Sequence, residues 1–110
     1  MIRHIILLRL IDGYVPDTSN VLEAVQSSRG LARLIPEAST WRLHRSISHR
    51  NEAADFVGCG DFDNMEALRS FLSHPQHRRT ANLWNAIATT MVADIHLIGT
   101  GSSSPMTTAE

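Results

Sequence analysis

The stretch "GDFDNMEALRSFLSHPQH", Gly60 to His77, contains the end of one predicted strand and the junction of two predicted helices. Its apolar residues, Phe71 among them, recur at helical spacing. Pro75 ends the first helix, because the residue before a proline avoids the helical conformation, and it suits the first turn of a second. The stretch therefore predicts two consecutive helices that meet at His74, with His77 in the first turn of the second.

Two pairs of residues resemble capping boxes, in which a polar side chain begins a helix and a glutamate follows three residues later. Asp63 and Glu66 form one pair at the start of the helix in this stretch. Asn20 and Glu23 form the other and predict the start of an earlier helix, which Pro36 ends.

The first predicted strand, "IRHIILLRLID", alternates between two faces. His4, Ile6 and Leu8 share one face, and Ile5 and Leu7 lie on the other. Both faces are largely apolar, so we expect both to be covered.

Two further strands are predicted in the middle of the chain, in "TWRLHRSIS" and "ADFVGCGDF". Trp41 and Arg45 share a face of the first, and Phe56 and Gly58 share a face of the second. Glycine in a strand often marks the close approach of a ligand or another backbone. Gly58 and Gly60 therefore predict room beneath a pocket, suited to a larger or flatter ligand.

With a last strand in "VADIHLIG", the order is strand, helix, strand, strand, helix pair, strand. This order predicts an α+β fold, a ferredoxin-like antiparallel sheet with helices on one face. The other face, with Ile5, Leu7, Ile11 and Val57, needs a cover, and a second copy is the simplest one. We expect one domain over residues 1–99, a homodimer, and a disordered tail over residues 100–110.

Composition narrows the function classes. The chain has 110 residues, 10 basic and 11 acidic residues and a formal net charge of −1, which gives no case for binding nucleic acid or a membrane surface. Its single cysteine, Cys59, fits a reducing compartment. No signal peptide or membrane span is evident, so we expect a cytoplasmic protein.

Four local patterns resemble the stress-responsive dimeric A/B barrel (Dabb) family: "RHIILLRL", "LARLIPEAS", the Gly60–His77 stretch and "VADIH". The resemblance implies a homodimer whose two sheets face each other as a dimeric α+β barrel, with a cavity between sheet and helices in each subunit. One member of the family, olivetolic acid cyclase, closes a linear polyketide without a cofactor. No cofactor is therefore expected here.

Compared with that cyclase, the resemblance matches His4, His74 and His77 to histidines of its pocket. Phe71 stands where the cyclase has a tyrosine that serves as its base, and Phe56 stands where it has another histidine. The resemblance therefore implies histidine chemistry without the phenol.

His77 is the first candidate for catalysis. The positive end of a helix disfavours imidazolium in the first turn, so a neutral His77 is suited to act as a general base. The alternative is a junction histidine that only caps the helix. His4 is the second candidate, as a donor to a substrate carbonyl or as a hydrogen-bonded core residue. His74 is predicted either to hold the loop or to contact substrate.

The remaining candidates are predicted to bind a small apolar or aromatic substrate. With His74 they are Phe56, Phe71, Ile6, Leu8, Trp41, Gly58, Trp84 and Arg45. A metal held by the three histidines is disfavoured, because His74 and His77 span a helix start and no Asp, Glu or Cys lies in the motif.

The main hypothesis is a cofactor-independent cyclase, or a related isomerase or lyase. It would act on a small carbonyl-rich, polyketide-like molecule in natural-product biosynthesis, with His77 as acid/base group and His4 as polarising partner. Two alternatives stay open: a non-catalytic ligand-binding or stress-related dimeric scaffold, and a cofactor-free monooxygenase on the same barrel.

Overall fold

A computed structural model describes residues 1–98 of the chain. The predicted tail at 100–110, and the domain boundary at residue 99, lie outside the described residues.

The described chain forms one antiparallel sheet and three α-helices. The strands are β1 (Ile2–Leu10), β2 (Arg42–Arg45), β3 (Phe56–Phe62) and β4 (Ala88–His96), and the helices are α1 (Ser19–Leu34), α2 (Met65–Ser73) and α3 (Pro75–Asn85). Strand order in the sheet is β2-β3-β1-β4. This confirms the α+β, ferredoxin-like prediction. Within residues 1–98, none of the helices is long and apolar enough to cross a membrane.

Helices cover one face of the sheet, and the core beneath them divides into two clusters. The first, the Phe56 cluster, gathers Phe56, Leu8 and Trp84. The second, the Phe71 cluster, gathers Phe71 and Phe62 with their neighbours. Ile6 packs against both and is itself only partly buried, which places a gap in the core at the centre of β1.

The alternation predicted for β1 is confirmed. His4 is 3% exposed on the helix-covered face, whereas Ile5 and Leu7 lie on the bare face and are only half-buried. Met91 and Ile95 of β4 continue that bare face and are 70% and 45% exposed. An apolar strip therefore runs across the uncovered side of the sheet. Ile11 lies just beyond the end of β1 and is also exposed.

Both predicted capping boxes are wrong by one or two residues. The N-cap of α1 is Thr18, not Asn20, and its hydroxyl accepts from the backbone N–H of Val15 instead of capping the helix. The N-cap of α2 is Asn64, whose Oδ1 accepts from the N–H of Ala67 at 2.9 Å. Asn64 directly precedes Met65, the first residue of α2, so its side chain lies at the N-cap position and reaches the third helical N–H.

The α2–α3 junction has the form that the sequence predicts. Pro75 is the first residue of α3, and His74 is its N-cap in an extended conformation. The Nδ1 atom of His74 accepts from the backbone N–H of Gln76 at 3.1 Å, while its own backbone N–H closes α2 on the carbonyl of Phe71. This histidine therefore joins two helices with its ring and its backbone together.

The second strand is shorter than predicted. Trp41 precedes it, and Ile47, which falls within the predicted strand "TWRLHRSIS", lies in the following loop at 91% exposure. The strand ends because β3 begins only at Phe56, so the chain beyond Ser46 has no ladder partner.

Candidate functional site

A cavity of about 190 Å³ lies in the gap between the two core clusters, enclosed by β1, α1 and α3. The structure brings six of the predicted site residues to its wall: His4, Ile6, Leu8, Trp41, His77 and Trp84. The remaining wall mixes aliphatic with uncharged polar side chains, so the two histidines are the titratable groups among the residues that line it.

The other predicted site residues lie elsewhere. Phe56 and Phe71 are buried in the two core clusters that bear their names. Arg45 ends β2 and is exposed, and His74 is occupied as the cap of α3. None of these side chains lines the cavity.

Gly58 also lies off the cavity wall, and the room it makes is already filled. A Cβ atom at Gly58 would lie 2.6 Å from two atoms of the Trp41 six-membered ring, and one at Gly60 would lie 3.0 Å from a third. The two glycines therefore let the indole lie flat on β3. The expected space for a flat ligand is occupied by the protein's own flat side chain.

His77 lies in the first turn of α3 and is half-buried at the cavity. Its Nδ1 is 3.1 Å from the backbone oxygen of Leu72, and its ring meets that of Phe71 edge-on at 4.6 Å. A carbonyl can only accept, so Nδ1 carries the proton and donates it, which leaves the lone pair on Nε2.

The pKa of His77 is lowered. Burial is the largest cause, the Leu72 carbonyl opposes it in part, and the charges that His4 and His74 can carry lower it further. The ring is therefore held neutral near neutral pH, the protonation state in which a histidine accepts a proton.

His4 is held differently, by a carboxylate across the sheet. Its Nδ1 lies 2.5 Å from Oδ1 of Asp94, its direct partner in the β1–β4 register. The ring stacks on Trp41 at a centroid distance of 6.0 Å. Because Nδ1 is engaged by Asp94, Nε2 is the nitrogen left for the cavity.

Asp94 is not among the residues predicted for the site. A charged residue within an otherwise apolar strand, "MVADIHL", was a usable signal, since strands rarely contain aspartate. Its partner was not readable, because His4 lies 90 residues away and only the register of β1 and β4 brings them together.

Two buried hydroxyls on the wall were also missed, and both are already engaged. Ser28 accepts from the indole N–H of Trp84 at 2.6 Å and donates to the carbonyl of Ala24. Thr80 bonds to Ser27 at 2.6 Å and to a backbone oxygen one helical turn earlier. These bonds tie α1 to α3 and account for serine and threonine inside the core.

The cavity opens between α3 and β4. Asn85 and Thr90 line it and are exposed. Val92 and Asp94 follow on the side of β4 that faces the helices, and they too are uncovered. A small molecule can therefore enter over β4 and meet His4 and His77 inside.

Within residues 1–98, no group of three or more His, Cys, Asp or Glu side chains is placed to hold a metal ion. The two cavity histidines each have one ring nitrogen engaged by the protein, one by a carbonyl and one by a carboxylate. Such an arrangement can support proton transfer by two differently supported imidazoles.

Known proteins share this sequence pattern and architecture. The model of a family described as the stress responsive A/B barrel domain matches residues 2–97. An uncharacterized protein from Streptomyces coelicolor is 37% identical over 94 residues, which cover 86% of this chain and 97% of that one.

Two solved structures share the fold. A dimeric ferredoxin-like protein of unknown function from Thermobifida fusca has a TM-score of 0.76 at 25% identity. The match covers 87% of this chain and 90% of the Thermobifida fusca chain. A hydroxynitrile lyase from Passiflora edulis has a TM-score of 0.75 at 14% identity, with 93% and 96% covered. At that identity the second likeness shows the fold alone.

Proposed function

We propose that this chain, which belongs to the stress-responsive A/B barrel family, is a cofactor-independent acid–base enzyme acting on a small carbonyl compound. The observation that carries the proposal is the unequal pair of imidazoles on one cavity. His77 has a lowered pKa and a free lone pair, whereas His4 is backed by the Asp94 carboxylate. Such a pair suits the removal of a proton at one atom and its supply at another.

The proposed step is enolisation. Nε2 of His77 takes a proton from the carbon next to the carbonyl. The electron pair of that C–H bond forms a double bond to the carbonyl carbon, and the π pair of the C=O bond moves to the carbonyl oxygen. Nε2–H of a protonated His4 donates to the developing oxyanion, while Asp94 balances the charge of the imidazolium. An enolate of this kind is the shared intermediate of isomerisation, retro-aldol cleavage and aldol closure.

Two observations favour an isomerase or lyase over closure of a polyketide chain. The cavity, at about 190 Å³, is small for an extended chain. Phe71 replaces the tyrosine expected from the resemblance, and it packs against His77 instead of offering a base. The Passiflora edulis protein is a lyase by name, which supports this chemistry at the level of the fold only.

The test is proton exchange. Small ketones such as acetophenone and cyclohexanone are incubated with the full chain in D₂O, and the loss of their α-proton signals is followed by NMR. We expect faster exchange than with free imidazole, and a loss of about a hundredfold or more in His77→Gln, as for removal of a general base. The rate should rise with pH as His77 loses its proton.

Exchange no faster than with imidazole for every ketone, or exchange that persists in His77→Gln, would overturn the proposal. Saturable ketone binding without exchange would leave the chain as a small-ligand binder.

We also propose that the chain acts as a cytoplasmic homodimer. Its support is the apolar strip on the bare face of the sheet, including Leu7, Val57 and Met91, together with the dimeric relative from Thermobifida fusca. The lone Cys59 fits a reducing compartment. Sedimentation at micromolar concentration should give a dimer and Leu7→Asp should give a monomer; a wild-type monomer would contradict the proposal.

A further inference from the structure

The size of the cavity limits what it can enclose. An apolar cavity of about 150 Å³ accommodates benzene, whereas drug-sized ligands occupy roughly 300 Å³ or more. At about 190 Å³ this cavity matches one ring with a short substituent. Anything longer has to extend through the mouth over β4.

The charge of the wall limits the ligand further. Among the described residues that line the cavity, none is a lysine, arginine, aspartate or glutamate. The Asp94 carboxylate lies against His4 at the rim, so that ring offers no uncompensated positive charge, and burial lowers the pKa of His77. A carboxylate or phosphate on the ligand would therefore lose its hydration without gaining a free cation.

One polar group on the wall still lacks a partner. The indole N–H of Trp41 is buried and has no acceptor anywhere in residues 1–98, and it is the one buried side-chain nitrogen or oxygen there in that state. Trp84, on the same wall, donates its N–H to Ser28. Buried donors without acceptors are rare in native proteins, so the difference between the two tryptophans calls for an explanation.

We propose that the cavity binds an uncharged carbonyl compound of about one substituted ring, and that Trp41 selects it by donating its indole N–H to the carbonyl oxygen. This rests on the proposed function, because it names the substrate class of the same cavity. The N–H is covered from solvent in the described structure, so this binding requires the indole to tilt and expose its N–H to the cavity. Trp41 stacks on His4, so an oxygen bonded to Trp41 lies beside the proposed acid.

Three probes of the same shape and the same number of non-hydrogen atoms test the inference: acetophenone, α-methylstyrene and benzoate. Affinities are measured by NMR titration of the ¹⁵N-labelled full chain near neutral pH. We expect acetophenone to bind about fivefold more tightly than α-methylstyrene, which corresponds to one neutral hydrogen bond. We expect it to bind about tenfold or more tightly than benzoate, which would lose the hydration of its charge. The indole proton of Trp41 should move downfield with acetophenone only.

Trp41→Phe should abolish the preference of acetophenone over α-methylstyrene, because it keeps a ring over the glycines without the N–H. Trp84→Phe is the matched control, since its N–H is already bonded to Ser28, and it should keep the preference. If Trp41→Phe fails to fold, the indole shift in the wild-type chain decides.

The inference is overturned if benzoate binds as tightly as acetophenone, if no probe binds saturably, or if the preference survives in Trp41→Phe without an indole shift. Its failure is distinguishable from that of the proposed function. Binding preference reads out Trp41 without turnover, whereas proton exchange reads out His77.

Discussion

The two cavity histidines are held by opposite means. His77 belongs to the helix junction, residues 71–77, where a carbonyl five residues earlier accepts a hydrogen bond from its Nδ1–H. His4 belongs to the strand pair, where a carboxylate 90 residues later engages its Nδ1. The acceptor for His77 is a neutral carbonyl nearby in the chain. The partner of His4 is a charged side chain that the pairing of β1 with β4 brings close. In the proposed function, this difference suits His77 to act as a base and His4 to donate a proton to the substrate oxygen.

The position of His77 depends on residues near it in the sequence, whereas the His4–Asp94 pair depends on the pairing of two distant strands. Any chain that folds the helix junction places His77 against Leu72. The strand pair exists only when β1 and β4 adopt one register, because a slip of one residue would turn Asp94 to the other face. We therefore expect changes at the strand pair to alter charge and rate, and changes at the junction to alter local stability as well.

The largest effect is expected from Asp94→Asn. It keeps the size of the side chain but removes the charge that balances a protonated His4, so exchange should slow by about a hundredfold, comparable to loss of an oxyanion donor. Asp61→Asn is the matched control, because that aspartate also lies in a strand but pairs with Arg3 on the bare face. Equal rates in Asp94→Asn and wild type would make the strand pair structural only.

A smaller effect is expected from His74→Ala, which removes the cap of α3. Loss of an N-cap hydrogen bond lowers the free energy of unfolding by about 1 kcal/mol. His74→Asn should recover most of it, because asparagine caps the same position well. Urea denaturation measures both, and equal losses in the two variants would show that the ring is needed for something other than capping.

The smallest expected effect is on stability against pH. Folding lowers the pKa of His77, so the unfolded chain binds a proton more readily than the folded one. The folded state therefore keeps its full stability above the ordinary histidine pKa of about 6.5 and loses some as the pH falls below it toward the folded pKa.

The urea midpoint, measured at several pH values in that range, should change less with pH in His77→Gln than in wild type. His49→Gln is the control, since that histidine is exposed in the loop between β2 and β3. If the urea midpoint depends on pH as strongly in His77→Gln as in wild type, the proton taken up on unfolding binds to another group.

Much of the fold was readable because its signals are local. Alternation placed His4, Ile6 and Leu8 on the covered face, and Pro75 located the helix junction with its histidines. The caps were misplaced because neighbouring polar residues compete for one helix end, and the sequence does not tell Asp63 from Asn64.

The site could be predicted only in part, because only some of its contacts join residues that are close in the sequence. His77 follows from its place after Pro75, and six predicted residues do line the cavity. Asp94 and the seat of Trp41 on Gly58 depend on strand register and packing, which join residues far apart in the chain. "GCG" signalled close approach correctly, but the group that approaches is an indole.

The proposed function depends on His77 being a neutral imidazole with its lone pair on Nε2. A ¹⁵N NMR pH titration of the histidine rings, with His77→Gln to assign the signals, measures this directly. We predict the Nδ1–H tautomer for His77 at neutral pH and a pKa below the ordinary histidine value. An Nε2–H tautomer, or a His77 that is still protonated at neutral pH, would contradict the account.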